Sequence, residues 1–176
     1  IDAETLALLR RAGLQYLAFA PESGSKRVLE KMGKPMDFEK LLRLVPFAKS
    51  IGIKLGCFFL IGFEDEDDAD RLLTENLMVK LTKIGVDEIS LFIWSPLPGA
   101  AAFASESGWS HYEDLNWSPA WRSNYLALSR FRKKLYGRWV IAKLLYNPIR
   151  SARMLVNALT ARFELKSEML FHWMLR

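Results

Sequence analysis

The stretch from Lys54 to Asp68 constrains the fold more than any other part of the chain. It is apolar without interruption from Leu55 to Ile61, meets Gly62, and turns acidic at Glu64. A strand with one polar face would alternate with a period of two. The run therefore predicts a strand buried on both faces, of the kind found in parallel sheets. Such sheets hold ligands beyond the carboxyl ends of their strands, where glycine lets the backbone turn and approach a bound molecule closely. Gly62 and its loop are the first candidate site.

The flanking sequence supplies partners for that strand. Ala3 to Ala12 reads as a helix with Leu6, Leu8 and Leu9 apolar and Gly13 as its stop. Leu14 to Ala20 reads as a short strand ended by Pro21 and the polar turn Glu22-Ser23-Gly24-Ser25. Ser23 or Ser25 can cap a helix over Lys26 to Met32. Asp37 can cap the next helix, to about Ile51, which Pro46 should kink by removing a backbone hydrogen bond. Asp67 and Asp68 suit the positive N-terminal end of a helix running to Ile84. Glu88 to Trp94 is a third strand, closed by Ser95-Pro96-Leu97-Pro98-Gly99. The order strand, helices, strand, helix, strand gives an α/β fold with three parallel strands, whose ends at Glu22, Gly62 and Pro96 share one edge. Enzymes built as barrels work from that edge, yet three strands cannot close one. The missing strands are expected upstream of Ile1.

Beyond Ala100 the character changes. A small-residue stretch and an aromatic linker lead to four expected helices over 120–136, 139–146, 148–163 and 165–175. Residues 119–176 carry twelve Lys and Arg against only Glu164 and Glu168, whereas residues 1–118 are net acidic. Two surfaces of opposite sign follow. No apolar run reaches the roughly 18 residues of a membrane span, and no secretory signal opens the chain. Cys57 is the one cysteine, which excludes internal disulfides and gives a reducing, cytoplasmic setting as the expectation.

Several residues stand where chemistry could occur. Glu22, at a strand end beside Ser23 and Gly24, can accept hydrogen bonds from sugar hydroxyls or be a solvated turn acid. Lys34 lies past one short helix and can fold back over the same strand end to meet a carboxylate. The acids Glu64 to Asp68 are contiguous, unlike the alternating ligands of calcium loops. One acid is expected to fix the loop, and the others to cap the following helix or face water. Cys57 reads as an inert core thiol. His111 and His172 have no second ligand at useful spacing, so neither a metal site nor a catalytic residue is assigned. No phosphate-binding glycine loop or nucleophile elbow is present.

Taken together, Pro21-Glu22-Ser23-Gly24-Ser25 with Lys34, Phe59-Leu60-Ile61-Gly62-Phe63 with Glu66, and Pro96-Leu97-Pro98-Gly99 resemble the second half of a radical S-adenosylmethionine (SAM) barrel. The resemblance is greatest to the branch containing cobalamin-binding members and methylthiotransferases. It spans roughly residues 1 to 103 and implies a partial, TIM-like barrel. By that resemblance Glu22 contacts the SAM ribose and Lys34 faces the SAM carboxylate, while Leu60 and Gly62 fall on the strand lining the adenine pocket. Ser23, Gly24, Ser25, Phe63, Glu66, Pro96, Pro98 and Gly99 complete the implied cofactor-binding set. The family's chemistry is reductive cleavage of SAM by a [4Fe-4S] cluster to a 5′-deoxyadenosyl radical. Its cluster ligands, a three-cysteine motif, are expected upstream of residue 1, so the chain alone should be inactive. Glu64-Asp65, Asp67 and Ala100 depart from the family pattern, which leaves the loop after Gly62 open.

The implied organisation is a barrel portion over 1–103, a linker over 104–119 and a basic, aromatic helical extension over 120–176. The expected partners are a small-molecule or lipid-like substrate and the upstream half of the same barrel. Cobalamin is a further expectation, through an upstream domain. Tyr146-Asn147-Pro148-Ile149-Arg150 loosely echoes the helical ends of cobalamin-type members. The extension can cap its own barrel or lie on a membrane surface, so peripheral placement at the inner membrane face stays open; nucleic acid ranks last, since no RNA-binding motif is visible. The alternative to an enzyme fragment is a non-catalytic interaction module whose basic tail binds a membrane or a partner protein.

Overall fold

The structure, a computed structural model, describes residues 1–97 and 119–174. Three parallel strands, β1 (Tyr16–Glu22), β2 (Lys54–Ile61) and β3 (Glu88–Ile93), pair in chain order. They are joined by α2 (Lys26–Lys31), α3 (Phe38–Ser50) and α4 (Asp68–Lys83), and preceded by α1 (Ala3–Arg11). After the third strand come α5 (Tyr125–Tyr146), α6 (Pro148–Leu159) and α7 (Lys166–Met174). This is the expected α/β arrangement of a partial barrel with a helical continuation.

Helix starts follow the side chains that can satisfy free backbone amides. Asp2, Ser25, Asp37 and Asp67 each accept a hydrogen bond from the amide three residues on, and the Asp70 carboxylate in turn accepts the Asp67 N–H, completing a capping box. Of the two serines that could cap α2, Ser25 does so. The α3 helix continues across Pro46 to Ser50.

One face of the sheet is fully buried. Leu55, Cys57, Phe59 and Ile61 from β2 and Ile89, Leu91 and Ile93 from β3 pack against Val45 and Ala48 of α3, Leu77, Met78 and Leu81 of α4, and Leu128 and Leu135 of α5. Burial holds the Cys57 thiol above its ordinary range, consistent with an inert core residue. The opposite face departs from the expectation of burial on both sides. There Phe58, Leu60 and Phe92 are only half-buried and Ala18 and Ala20 are exposed, because three strands form only part of a closed wall and leave its interior open.

Two boundaries also differ from the sequence reading. The first strand begins at Tyr16 and continues through Pro21 to Glu22. Its register against β2 slips between Phe19 and Glu22, a bulge that accommodates a residue lacking an N–H. The expected break near Tyr136 is absent, since α5 is one helix of 22 residues starting at Tyr125 rather than Ala120. Gly137 within it costs about 1 kcal/mol relative to alanine. Burial of Leu135 and Ala142 offsets that cost, as do two cations one turn apart, Lys134 and Arg138, which converge on the buried Glu75 of α4.

At the amino ends of the strands Asp87 is the hub. One carboxylate oxygen accepts the Leu55 N–H at 2.7 Å and pairs with the Lys49 ammonium. The other faces Arg150 at 3.4 Å, and the Asp87 carbonyl accepts from Lys143 at 2.6 Å. Burial depresses both lysines, Lys143 to about 8. Asp87→Ala leaves the buried Lys49 ammonium without its anion and the Leu55 N–H without its acceptor, and is expected to cost about 3–5 kcal/mol of unfolding free energy. Urea denaturation of the two proteins checks this; a loss below about 1 kcal/mol, the scale of an exposed pair, contradicts the hub role.

Candidate functional site

The carboxyl ends of the strands carry the residues singled out from sequence. The β1 bulge leaves Glu22 in left-handed backbone, with φ of 60°, a conformation that costs a non-glycine residue about 1–2 kcal/mol. The bulge aims the Glu22 side chain at Lys34, whose Nζ lies 2.6 Å from Oε1. Lys34 does fold back over the strand end, as its position past α2 suggested. The result is an anion and a cation side by side at an open edge.

The neighbouring Ser-Gly-Ser faces the other way. The Ser23 hydroxyl lies 3.1 Å from the Thr74 hydroxyl, and Thr74 also accepts the Gly24 N–H at 3.0 Å. Ser25 donates to Asp70 while capping α2. Gly24 is obligatory on packing grounds, because a Cβ there would lie 2.2 Å from the Leu73 carbonyl oxygen. Ser23 and Ser25 are buried, so these three residues fasten the exit of β1 to α4, and Glu22 is the member of the motif directed to the edge.

The loop after β2 is built around Glu66. Its Oε2 accepts the Gly62 N–H at 2.6 Å and is approached by Arg71 Nε at 3.2 Å. Burial raises the Glu66 pKa against the lowering effect of those two donors. The acids beside it divide as expected: Asp67 caps α4, Asp68 is exposed beside Arg71, and Asp65 pairs with Lys31. Among the described residues no group of three His, Cys, Asp or Glu could hold a metal ion.

Gly62 makes the turn expected of it, with φ of +78°, and a Cβ there would also lie 2.5 Å from Leu128 of α5. That close approach by α5 was not foreseen from sequence. Arg122 adds to the same packing, donating to the carbonyls of Gly62 at 2.8 Å and Trp94 at 2.7 Å while lying over the Trp94 ring. Phe63 meets that ring edge to face, with centroids 5.3 Å apart. Leu60 lies on the open face, and Pro96 is buried just past β3. Pro98 and Gly99 lie outside the described residues.

Sequence reasoning missed Arg122, Trp94, Thr74 and Asp70 as parts of this edge. It also missed Tyr16 and Glu88 on the open face. The Tyr16 hydroxyl crosses Gly56 to donate to Glu88 at 2.7 Å, and a Cβ on Gly56 would lie 1.9 Å from that oxygen. A glycine inside a strand flanked by apolar residues was the available signal.

The sequence model of the radical SAM superfamily matches residues 1–78. Ribosomal protein uS12 methylthiotransferase RimO of Nitrosomonas europaea is 33% identical over 93 residues, covering 52% of this chain and 20% of its own. Cytidylyl-2-hydroxyethylphosphonate methyltransferase of Streptomyces wedmorensis is 38% identical over 63 residues, 35% of this chain and 12% of its own. The chain thus spans about a fifth or less of the length of these curated relatives. Among solved structures, coproporphyrinogen III oxidase (HemN) from Escherichia coli, described as a radical SAM enzyme, aligns with a TM-score of 0.54 at 21% identity. The alignment covers 77% of this chain and 30% of that one, and speaks for the fold.

Gly24→Ala is expected to destabilise the protein by about 3 kcal/mol, the upper part of the overpacking range, because the obstacle is backbone; an unchanged thermal midpoint contradicts the contact. Asp70 supplies a pH test. Burial opposes its ionisation, but Ser25, Arg27 and the Asp67 amide outweigh burial and lower it from 3.8 to about 2. Its folded value lies below its unfolded one, so its stabilising contribution is complete above the unfolded value and disappears as pH falls through about 2. Asp70→Asn should flatten the stability-versus-pH curve across that window, as measured by urea midpoints.

Proposed function

We propose, from the match of residues 1–78 to the radical SAM superfamily model, that this chain is the C-terminal part of a radical SAM enzyme, holding the ribose, amino-acid and adenine ends of SAM. The observation that carries the reading is the Glu22–Lys34 pair at an open strand edge. A carboxylate there accepts hydrogen bonds from vicinal hydroxyls, and an ammonium beside it meets a carboxylate. Phe63 and Leu60 offer apolar surface next to the turn that Glu66 fixes. When bound, SAM supplies the reactive group, and these residues orient it and limit water around it. The backbone N–H and carbonyl of Gly62 are already engaged by Glu66 and Arg122, so its part in the pocket is to shape the turn.

The residues present do not fit a [4Fe-4S] cluster. The one cysteine, Cys57, is buried in the core, and a cluster needs several thiolates. We place the cluster ligands in sequence outside this chain, which makes the chain inactive by itself. The relatives' names, methylthiotransferases and a methyltransferase, support transfer of a methyl or methylthio group as the reaction class, with the acceptor undetermined. Cobalamin, an expectation of the resemblance, would likewise be held by sequence outside this chain, and the visible absorption spectrum of the full-length protein as purified tests for it. The superfamily match and the strand-end geometry favour the enzyme reading over a purely scaffolding module.

In the full-length protein, Glu22→Ala and Lys34→Ala should each weaken SAM binding about tenfold by calorimetry, the loss of a hydrogen bond to a charged group. Unchanged affinity in both variants overturns the assignment. So does upstream coding sequence lacking a Cys-x3-Cys-x2-Cys motif.

A further inference from the structure

Arg122 stands at the start of the helical extension, outside the residues 1–78 that match the superfamily model, yet its contacts are with the strand ends. One Nη donates to the Gly62 carbonyl at 2.8 Å and the other to the Trp94 carbonyl at 2.7 Å, so a single guanidinium staples the exit of β2 to the exit of β3. Its Nε donates to Asn124 Oδ1 at 3.2 Å, which fixes the fork from behind. The guanidinium carbon lies 5.2 Å from the centre of the Trp94 ring, the ring that Phe63 meets edge to face. Gly62 is thereby held on both sides, since Glu66 takes its N–H and Arg122 its carbonyl.

We propose that the SAM site reaches into the helical extension, with Arg122 as a positioning residue that sets the Gly62 turn and, through the Trp94 ring, the place of Phe63. The inference rests on the SAM reading above and adds to it a group that the barrel strands do not contain. Glycine in left-handed backbone has conformational freedom that other residues lack. The turn at Gly62 therefore presents Phe63 in one place only while its carbonyl is anchored. Arginine suits the task, because its planar fork reaches two carbonyls at once and stacks on an aromatic ring, whereas a lysine ammonium acts as a point charge. The exit of β1 needs no such staple, since Thr74 and Asp70 of α4 already fasten it.

Calorimetric titration of the full-length protein with SAM, together with amide hydrogen exchange, tests it. Arg122→Gln should weaken SAM binding about tenfold, the scale of one hydrogen bond to a charged group, and exchange at the Gly62 amide should quicken by a similar factor, because its turn opens more often. Arg122→Lys should lose nearly as much, since the charge stays and the fork goes. Asp87→Asn weakens the pairing with Lys49 at the other end of the same strands and should leave SAM affinity unchanged, which separates positioning from a general loss of stability. Wild-type protein that binds no SAM removes the SAM reading and this inference with it. Wild-type binding that Arg122→Gln leaves unchanged, full affinity in Arg122→Lys, or an equal loss in Asp87→Asn overturns this inference alone and leaves the SAM reading standing.

Discussion

Parallel strands deliver all their carboxyl ends to one edge, and there the backbone leaves the ladder with polar groups that need new partners. In this protein side chains from outside the sheet supply them. Glu66 takes the Gly62 N–H, Arg122 takes the carbonyls of Gly62 and Trp94, and Thr74 takes the Gly24 N–H. The shape of the edge is thus set by α4, its preceding loop and the segment leading into α5. Without them the three turns would have no common frame.

That arrangement divides the labour within a short motif. Glu22 and Ser25 are three residues apart, yet one is aimed at Lys34 and the other is buried against Asp70. The bulge makes this division, since an extra residue in β1 rotates Glu22 out of the regular alternation. Left-handed backbone at a glutamate is a local cost that the tightly fastened Ser-Gly-Ser segment can sustain.

Much of the architecture was legible in the sequence. The uninterrupted run in β2, the glycine stops and the Asp and Ser caps located all three strands and the helices between them, because each signal acts over a few residues. The site was legible only in outline. Glu22, Lys34 and Glu66 lie where strand ends place them, and the turn at Gly62 was foreseen, but the packing of Leu128, 66 positions away, against it was not. No local pattern announces such a contact. Arg122 was hidden for the same cause, and α5 was split at Gly137 because the cations that bridge it answer to Glu75 on another helix.

The crossing of Tyr16 over Gly56 to Glu88, with Ser167 donating to the same carboxylate through its N–H and its hydroxyl, has a further bearing on the open face. It lays a hydrogen-bonded floor across the amino ends of the strands, tied to the start of α7. A molecule lying along these strands from the Glu22 end would therefore be stopped at the Tyr16 hydroxyl, which sets the depth of the open face.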